Sequence, residues 1–247
     1  MNKNTANLII EKVASDYDNI ADHFSQTRYK DWSEFYDFDK YLQTGISVLD
    51  VGCGNGRLLN FLVKYGIKYV GIDVSEKLVQ IAKKIADEKI TSSISSYSFL
   101  KAPATELPFA NQSFDIVFAV ASLYHIPSHK LRNQSVKEIA RVLKPGGIFI
   151  MTYWNMWEKN RRKLIVNNIL YKLIGKSKLD FFDTEKPWKN PDGKVIVNRY
   201  CHAFRLSEIE KLAKNNNIET LEKYYMKKGR RVKSNDGFNG VYIGKKR

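Results

Sequence analysis

The chain has 247 residues, is 43% hydrophobic and 13% aromatic, and carries a formal charge of +15. That composition excludes a disordered chain, and the length suits one large α/β domain or a domain with an insert. No apolar run is membrane-length, residues 1–11 do not read as a signal peptide, and two cysteines make no disulfide framework, which leaves a soluble cytoplasmic protein with no membrane role.

Residues 13–43 read as helical and rich in aromatics. Tyr17, Ile20, Ala21 and Phe24 recur at helical spacing, so one face packs on a neighbour. The pattern breaks after Phe24. Arg28 and Tyr29 stand out there as polar groups in a segment placed to cover a pocket. We take 1–45 as a helical cap, 46–154 as a core, 155–205 as an insertion and 206–247 as a closing helix and hairpin.

Val48-Leu49-Asp50-Val51 is an apolar run that reads as a buried parallel strand. It enters Gly52-Cys53-Gly54-Asn55-Gly56, and the helical Arg57-Leu58-Leu59-Asn60-Phe61-Leu62 follows at once. Glycines allow a sharp turn with a ligand lying against the backbone, and the helix start presents free N–H groups to it. The spacing is G-x-G-x-G, not the dinucleotide G-x-G-x-x-G, and no Walker phosphate loop occurs. A second apolar run, Tyr69-Val70-Gly71-Ile72, ends in Asp73 with Val74 behind it. A carboxylate about 20 residues beyond such a turn grips ribose hydroxyls.

Ser75 is set to cap a helix bearing Leu78, Ile81, Ala82 and Ile85 on one face. A short strand at 96–100 leads into a loop containing Pro103, Ala104 and Thr105. The strand at 114–120 ends in Ala121-Ser122-Leu123-Tyr124-His125, which faces the same crevice as the glycine turn. A helix at 131–143, ended by Pro145-Gly146-Gly147, precedes a strand reaching Trp154. This alternation predicts a doubly wound, Rossmann-like, mostly parallel sheet.

Residues 155–204 leave the alternation, with bases between 159 and 163, an apolar helix around 164–174 and an irregular piece at 178–195. Ser207-Glu208-Ile209-Glu210 reads as a capping box. Segments 218–226 and 238–244 form a closing antiparallel hairpin whose connection, 227–233, is the densest basic run. The charge is uneven. Residues 1–150 hold 18 Lys and Arg against 16 Asp and Glu, whereas 151–247 hold 23 against 10, which points to a polyanion on the second part or to a surface that keeps the protein soluble.

Asp50-x-Gly52-x-Gly54-x-Gly56, Leu107-Pro108-Phe109 with Ser113-Phe114-Asp115, and Lys144-Pro145-Gly146-Gly147 resemble the class I S-adenosylmethionine-dependent methyltransferases. A narrower resemblance rests on Tyr17-Asp18-x-Ile20-Ala21-x-His23-Phe24-Ser25-x-Thr27-Arg28-Tyr29-Lys30-x-Trp32 and Arg199-Tyr200-x-His202-x-Phe204. Those motifs look like the tRNA wobble-uridine carboxymethyl methyltransferases. The resemblance implies S-adenosylmethionine as cofactor, held by Arg28, Tyr29, Asp50, Gly52, Cys53, Gly54, Asn55, Gly56, Asp73, Val74, Ala104, Thr105 and Ala121. It implies tRNA as partner, bound by the basic second part, and a small zinc-binding activator subunit for some members. Two positions depart from it. Pro103 stands where the wider family has an acid for adenine, and Tyr124 stands where the narrower one has the first of two histidines.

A carboxylate is already ionised at neutral pH, so methylating it needs alignment rather than a strong base. Arg199 is the first candidate to hold it through two parallel hydrogen bonds, though a phosphate contact or structural ion pair suits the same residue. His125 and His202 are candidates to orient base or carboxylate, and Trp154 to stack on a flipped uracil; each also reads as ordinary crevice lining. His125 and His129 make no zinc set, since Pro127 separates them and no Cys or acid joins, so no metal is expected. A small-metabolite methyltransferase and a non-catalytic RNA-binding protein are the alternatives.

Overall fold

A computed structural model describes residues 1–90 and 96–247. Its first five strands are β1 (Ser47–Val51), β2 (Lys68–Asp73), β3 (Ser96–Lys101), β4 (Phe114–Val120) and β5 (Leu143–Trp154). They lie parallel in the order β3-β2-β1-β4-β5. The sheet continues through β10 (Asn239–Lys246), β8 (Ile218–Lys227) and the short β9 (Arg230–Val232), with β10 antiparallel to both β5 and β8. This is the doubly wound, mostly parallel sheet with an antiparallel closing strand that the sequence predicts.

Successive strand residues feed opposite faces. Leu49, Val51, Val117, Ala119, Phe149 and Met151 join one core with Val136 and Ile139 of α4 (His129–Val142) and Leu212 of α6 (Leu206–Lys214). Val48, Ile116, Phe118 and Ile150 join the other with Leu58 and Leu62 of α2 (Arg57–Leu62) and Ala86 of α3 (Glu76–Lys89). Both faces are covered, so the strands are apolar without alternation. The chain winds outward from β1 to β3 and returns at β4, which opens a crevice beyond the carboxyl ends of β1 and β4.

A lid closes that crevice. It combines α1 (Lys3–Thr27) with a separate two-stranded sheet, β6 (Asp183–Lys189) and β7 (Val195–His202). Ile9 and Val13 of α1 pack on Tyr200, and Ile20 packs on Trp188 and Val197. A further helix, α5 (Arg162–Leu173), precedes β6. Among the described residues no helix is long and apolar enough to cross a membrane.

Several local expectations change. The first helix begins at Lys3 and ends at Thr27, and Ser33–Tyr41 is 3-10 rather than α. The stretch expected to be irregular at 178–195 holds β6 and the start of β7. Lys186, Pro187 and Trp188 interrupt any apolar alternation there, so the strand is invisible to periodicity. The helix α4 ends at Val142 and β5 starts at Leu143, so Pro145-Gly146-Gly147 lies within the strand, where pairing slips between Phe114 and Ile116. The expected capping box does not form. Arg205 precedes α6 without a side-chain cap, Glu210 pairs with Lys223 at 2.6 Å, and Glu208 turns to His202. Ser75 does cap α3, its hydroxyl accepting from Leu78 N–H at 3.1 Å.

Candidate functional site

The glycine loop is shaped by contacts that leave no room for side chains. Gly52 has φ +77°, and a Cβ there would lie 2.3 Å from Cβ of Ser122 at the end of β4. Ser122 Oγ in turn donates to the carbonyl of Val51 at 2.6 Å, which ties the ends of β1 and β4 together. Gly54 also takes positive φ, at +57°, with the Phe24 ring of α1 at 3.4 Å from a notional Cβ. Ala121, at the end of β4, holds φ +52°, a strained angle for a residue with a side chain. Its N–H donates to the carbonyl of Thr152, which keeps it there.

Two buried carboxylates lie at this end. Asp73 accepts from Gly54 N–H and Ser75 N–H, each at 2.9 Å, and so braces the loop. Burial raises its pKa, against those backbone hydrogen bonds. Asp50 is 1% exposed; its Oδ2 accepts from the Tyr69 hydroxyl at 2.8 Å and its Oδ1 has no partner. Burial pushes its carboxyl up to about 7, with Tyr69 opposing. A buried, unsatisfied carboxylate oxygen facing a cavity fits a positively charged ligand group. S-adenosylmethionine carries an ammonium and a sulfonium, so the residues present fit it. Cys53, Asn55, Val74, Ala104 and Thr105 line the same cavity, with Pro103 beside them. Asn55 Nδ2 donates to the Arg28 carbonyl at 3.1 Å and fastens the loop to the end of α1.

The other end is made by the lid. Tyr17 of α1 reaches His125, its hydroxyl 2.7 Å from Nε2, while His125 Nδ1 lies 2.6 Å from the carbonyl of Tyr200. A carbonyl only accepts, so Nδ1 carries the proton and Nε2 accepts from the phenol. Burial, helped by the charge of Arg199, pushes His125 down to about 3, and burial pushes Tyr17 up to about 12. Both are neutral at physiological pH with their polar atoms engaged. His125 is therefore a fixed strut, not a proton carrier.

Arg199 of β7 is 4% exposed, and its Nε has no partner. Its guanidinium lies 4.9 Å from the Trp154 ring and 4.6 Å from Trp188, between two indoles. Among the described residues no carboxylate pairs with Arg199, Arg28 or Lys186. A buried guanidinium without a counter-charge is costly, and its fork suits a planar anion. Trp154, at the end of β5, is half-buried against Tyr124, their rings 5.1 Å apart.

Three candidates fall outside the cavity. His202 is buried between two carboxylates, Nδ1 at 2.7 Å from Asp183 and Nε2 at 3.0 Å from Glu208, so both nitrogens are occupied in joining β6 and β7 to α6. Tyr29 is 59% exposed, and among the described residues only the Lys30 ammonium lies over its ring. Gly56 caps α2 and faces Ala82 and Phe99 on the far side of the loop. Reading the sequence also missed residues. Tyr17 was visible as part of the N-terminal motif but reads as core. Arg57, directly after the loop, lines the cavity with its guanidinium 4.5 Å from Trp32. Lys186 stands opposite Arg199 in the two-stranded sheet, a position that only strand register reveals.

The chain is similar to known methyltransferases. Residues 49–151 match the family described as Methyltransferase domain. The chain is 29% identical over 222 residues to a tRNA (carboxymethyluridine(34)-5-O)-methyltransferase of Schizosaccharomyces pombe, covering 87% of this chain and 92% of that one. It is 30% identical over 207 residues to a protein of Encephalitozoon cuniculi named as a methyltransferase, covering 83% and 86%. An Arabidopsis thaliana protein named like the first is 32% identical over 152 residues; the match covers 62% of this chain but spans only 35% of that relative's length. Among solved structures, an S-adenosylmethionine-dependent methyltransferase of Methanosarcina mazei superposes with TM-score 0.69 at 24% identity, covering 85% and 96%. A Haloferax volcanii methyltransferase, solved in complex with the Trm112 methyltransferase activator, superposes with TM-score 0.63 at 19% identity, covering 93% and 96%.

Proposed function

The chain belongs to the class I S-adenosylmethionine-dependent methyltransferases, and from that premise we propose that it methylates the carboxylate of a carboxymethyl-type uridine at the tRNA wobble position. One observation carries the substrate reading: Arg199, a buried guanidinium with an unpartnered Nε, lies in the same cleft as the glycine loop. When bound, S-adenosylmethionine supplies a methyl group on a positively charged sulfur.

Arg199 would hold the carboxylate by its fork and fix the acceptor in the cavity that the glycine loop also lines. Trp154, with Lys186 and Arg199 over its ring and Tyr124 against it, walls the acceptor end. No group has to take a proton, which agrees with His125 being neutral with both nitrogens engaged. Transfer to the carboxylate would neutralise the donor's positive charge and the acceptor's negative charge together. Burial favours that neutralisation. The product ester is uncharged and leaves Arg199 unpaired again, which weakens product binding relative to substrate.

The basic residues of 151–247 are assigned to the tRNA backbone, and the cell compartment to the cytoplasm. The Haloferax volcanii neighbour was solved with a methyltransferase activator, so the assay is run with the chain alone and with such a subunit. Labelled cofactor and tRNA carrying carboxymethyluridine are incubated with the enzyme, and the nucleosides are read by mass spectrometry. Label is expected in the methyl ester of carboxymethyluridine. Unlabelled tRNA together with methylation of a small carboxylic acid would overturn the reading.

A further inference from the structure

We propose that the acceptor end of the cleft is built for two negative charges of one nucleotide, the carboxylate of the base at Arg199 and a backbone phosphate at Lys186 on the rim. The acceptor is then recognised as RNA, not as a free nucleoside. This rests on the wobble-uridine reading above.

The argument starts from strand register. Lys186 of β6 stands opposite Arg199 of β7, so two cations face each other across a two-stranded sheet. Like charges in that position destabilise the pair. Indole faces partly offset the repulsion, but among the described residues no carboxylate does, and a third cation joins the cluster. The Lys186 ammonium is 4.2 Å from the Trp154 ring that Arg199 also covers, and the Arg28 guanidinium is 5.2 Å from Trp188 on the other side of Arg199. Asp183, on the same strand as Lys186, accepts from His202, Glu158 pairs with Arg161, and Glu185 is exposed and alternates to the other face of β6. Burial and the charges of Arg161, Arg199 and Arg28 depress the Lys186 ammonium to about 8. A surplus of unpaired cations at one mouth is the signature of an anion that arrives from outside.

One carboxylate satisfies one guanidinium; Arg28 lies against Trp188 and donates to the Thr27 carbonyl, and Lys186 is left over. Depth and shape decide the division. Arg199 is buried, and its planar fork matches a planar carboxylate carried inward on a flat base. Lys186 is only partly buried and presents a mobile point charge, which suits a phosphate that must stay outside with the ribose.

The test uses the full chain with two anticodon stem-loop RNAs, one with uridine and one with 5-carboxymethyluridine at the wobble position. Binding is measured across a salt series for wild type and for Lys186→Gln. If Lys186 holds a phosphate, both RNAs lose affinity by the same factor, on the order of fivefold, and the log–log salt slope becomes shallower by about 0.7. Lys186→Arg restores most of the loss, and S-adenosylmethionine affinity reports that each variant is folded. Weakening confined to the carboxymethyl RNA would assign Lys186 to the carboxylate and overturn the inference, as would no weakening of either RNA. Failure of the underlying reading looks different: wild type would bind both RNAs equally and transfer no methyl group to the carboxymethyl one.

Discussion

At the glycine-loop end of the cleft the ionisable groups are two buried acids, Asp73 held by loop N–H groups and Asp50 by the Tyr69 hydroxyl, with Arg57 near Asp50. At the lid end they are Arg28, Lys186 and Arg199, carried by α1 and the β6–β7 hairpin and stacked on indoles. One end is preorganised to receive positive charge and the other to receive negative charge. The separation suits a reaction that joins a cationic methyl donor to an anionic acceptor. It also means that each end can be disabled alone.

The largest effect is expected from Arg199→Gln. Removing the cation that faces the acceptor costs about 3 kcal/mol, more than a hundredfold in kcat/KM for tRNA, with S-adenosylmethionine affinity unchanged by calorimetry. Loss of cofactor binding instead would show that the two ends are not separable. The mirror experiment is Gly52→Ala. Its Cβ would press on Ser122 at a backbone angle that L residues avoid, so cofactor affinity falls by about 2 kcal/mol while RNA binding persists.

The ends also predict opposite responses to pH. Binding a cation favours ionised Asp50, whose carboxyl titrates at about 7, so cofactor affinity rises as pH climbs through 7 and falls up to about tenfold per unit below it. Binding an anion favours protonated Lys186, which titrates at about 8, so RNA affinity falls as pH climbs through 8. Asp50→Asn flattens the first profile and leaves the second. Parallel profiles for the two ligands would break the comparison. The smallest effect is expected at Tyr29, which belongs to neither end: Tyr29→Ala changes stability by less than about 0.5 kcal/mol in a thermal melt and leaves both affinities alone.

How far these two ends were legible in the sequence differs in the same way. The acidic end is local in sequence: a strand, a glycine turn and an acid one βαβ unit later carry it, and periodicity plus glycine spacing expose all three. Asp50, Gly52, Gly54 and Asp73 were readable for that reason. Their division of labour was not. Asp73 spends hydrogen bonds on bracing Gly54 and Ser75, which only the folded loop reveals.

The basic end is assembled from residues far apart in the chain. Tyr17 meets His125 across 108 positions and Trp188 meets His23 across 165, and no local pattern encodes such pairs. His202 shows the cost of judging by motif alone. It sits in the motif beside Arg199, yet alternation along β7 turns it away from the cleft into Asp183 and Glu208. By itself the sequence determined the sheet, the cofactor loop and the excess of positive charge, because each follows from short-range periodicity or composition. Tertiary structure alone decided which cations face the cleft and which lack a counter-charge, because strand register and lid packing set side-chain direction.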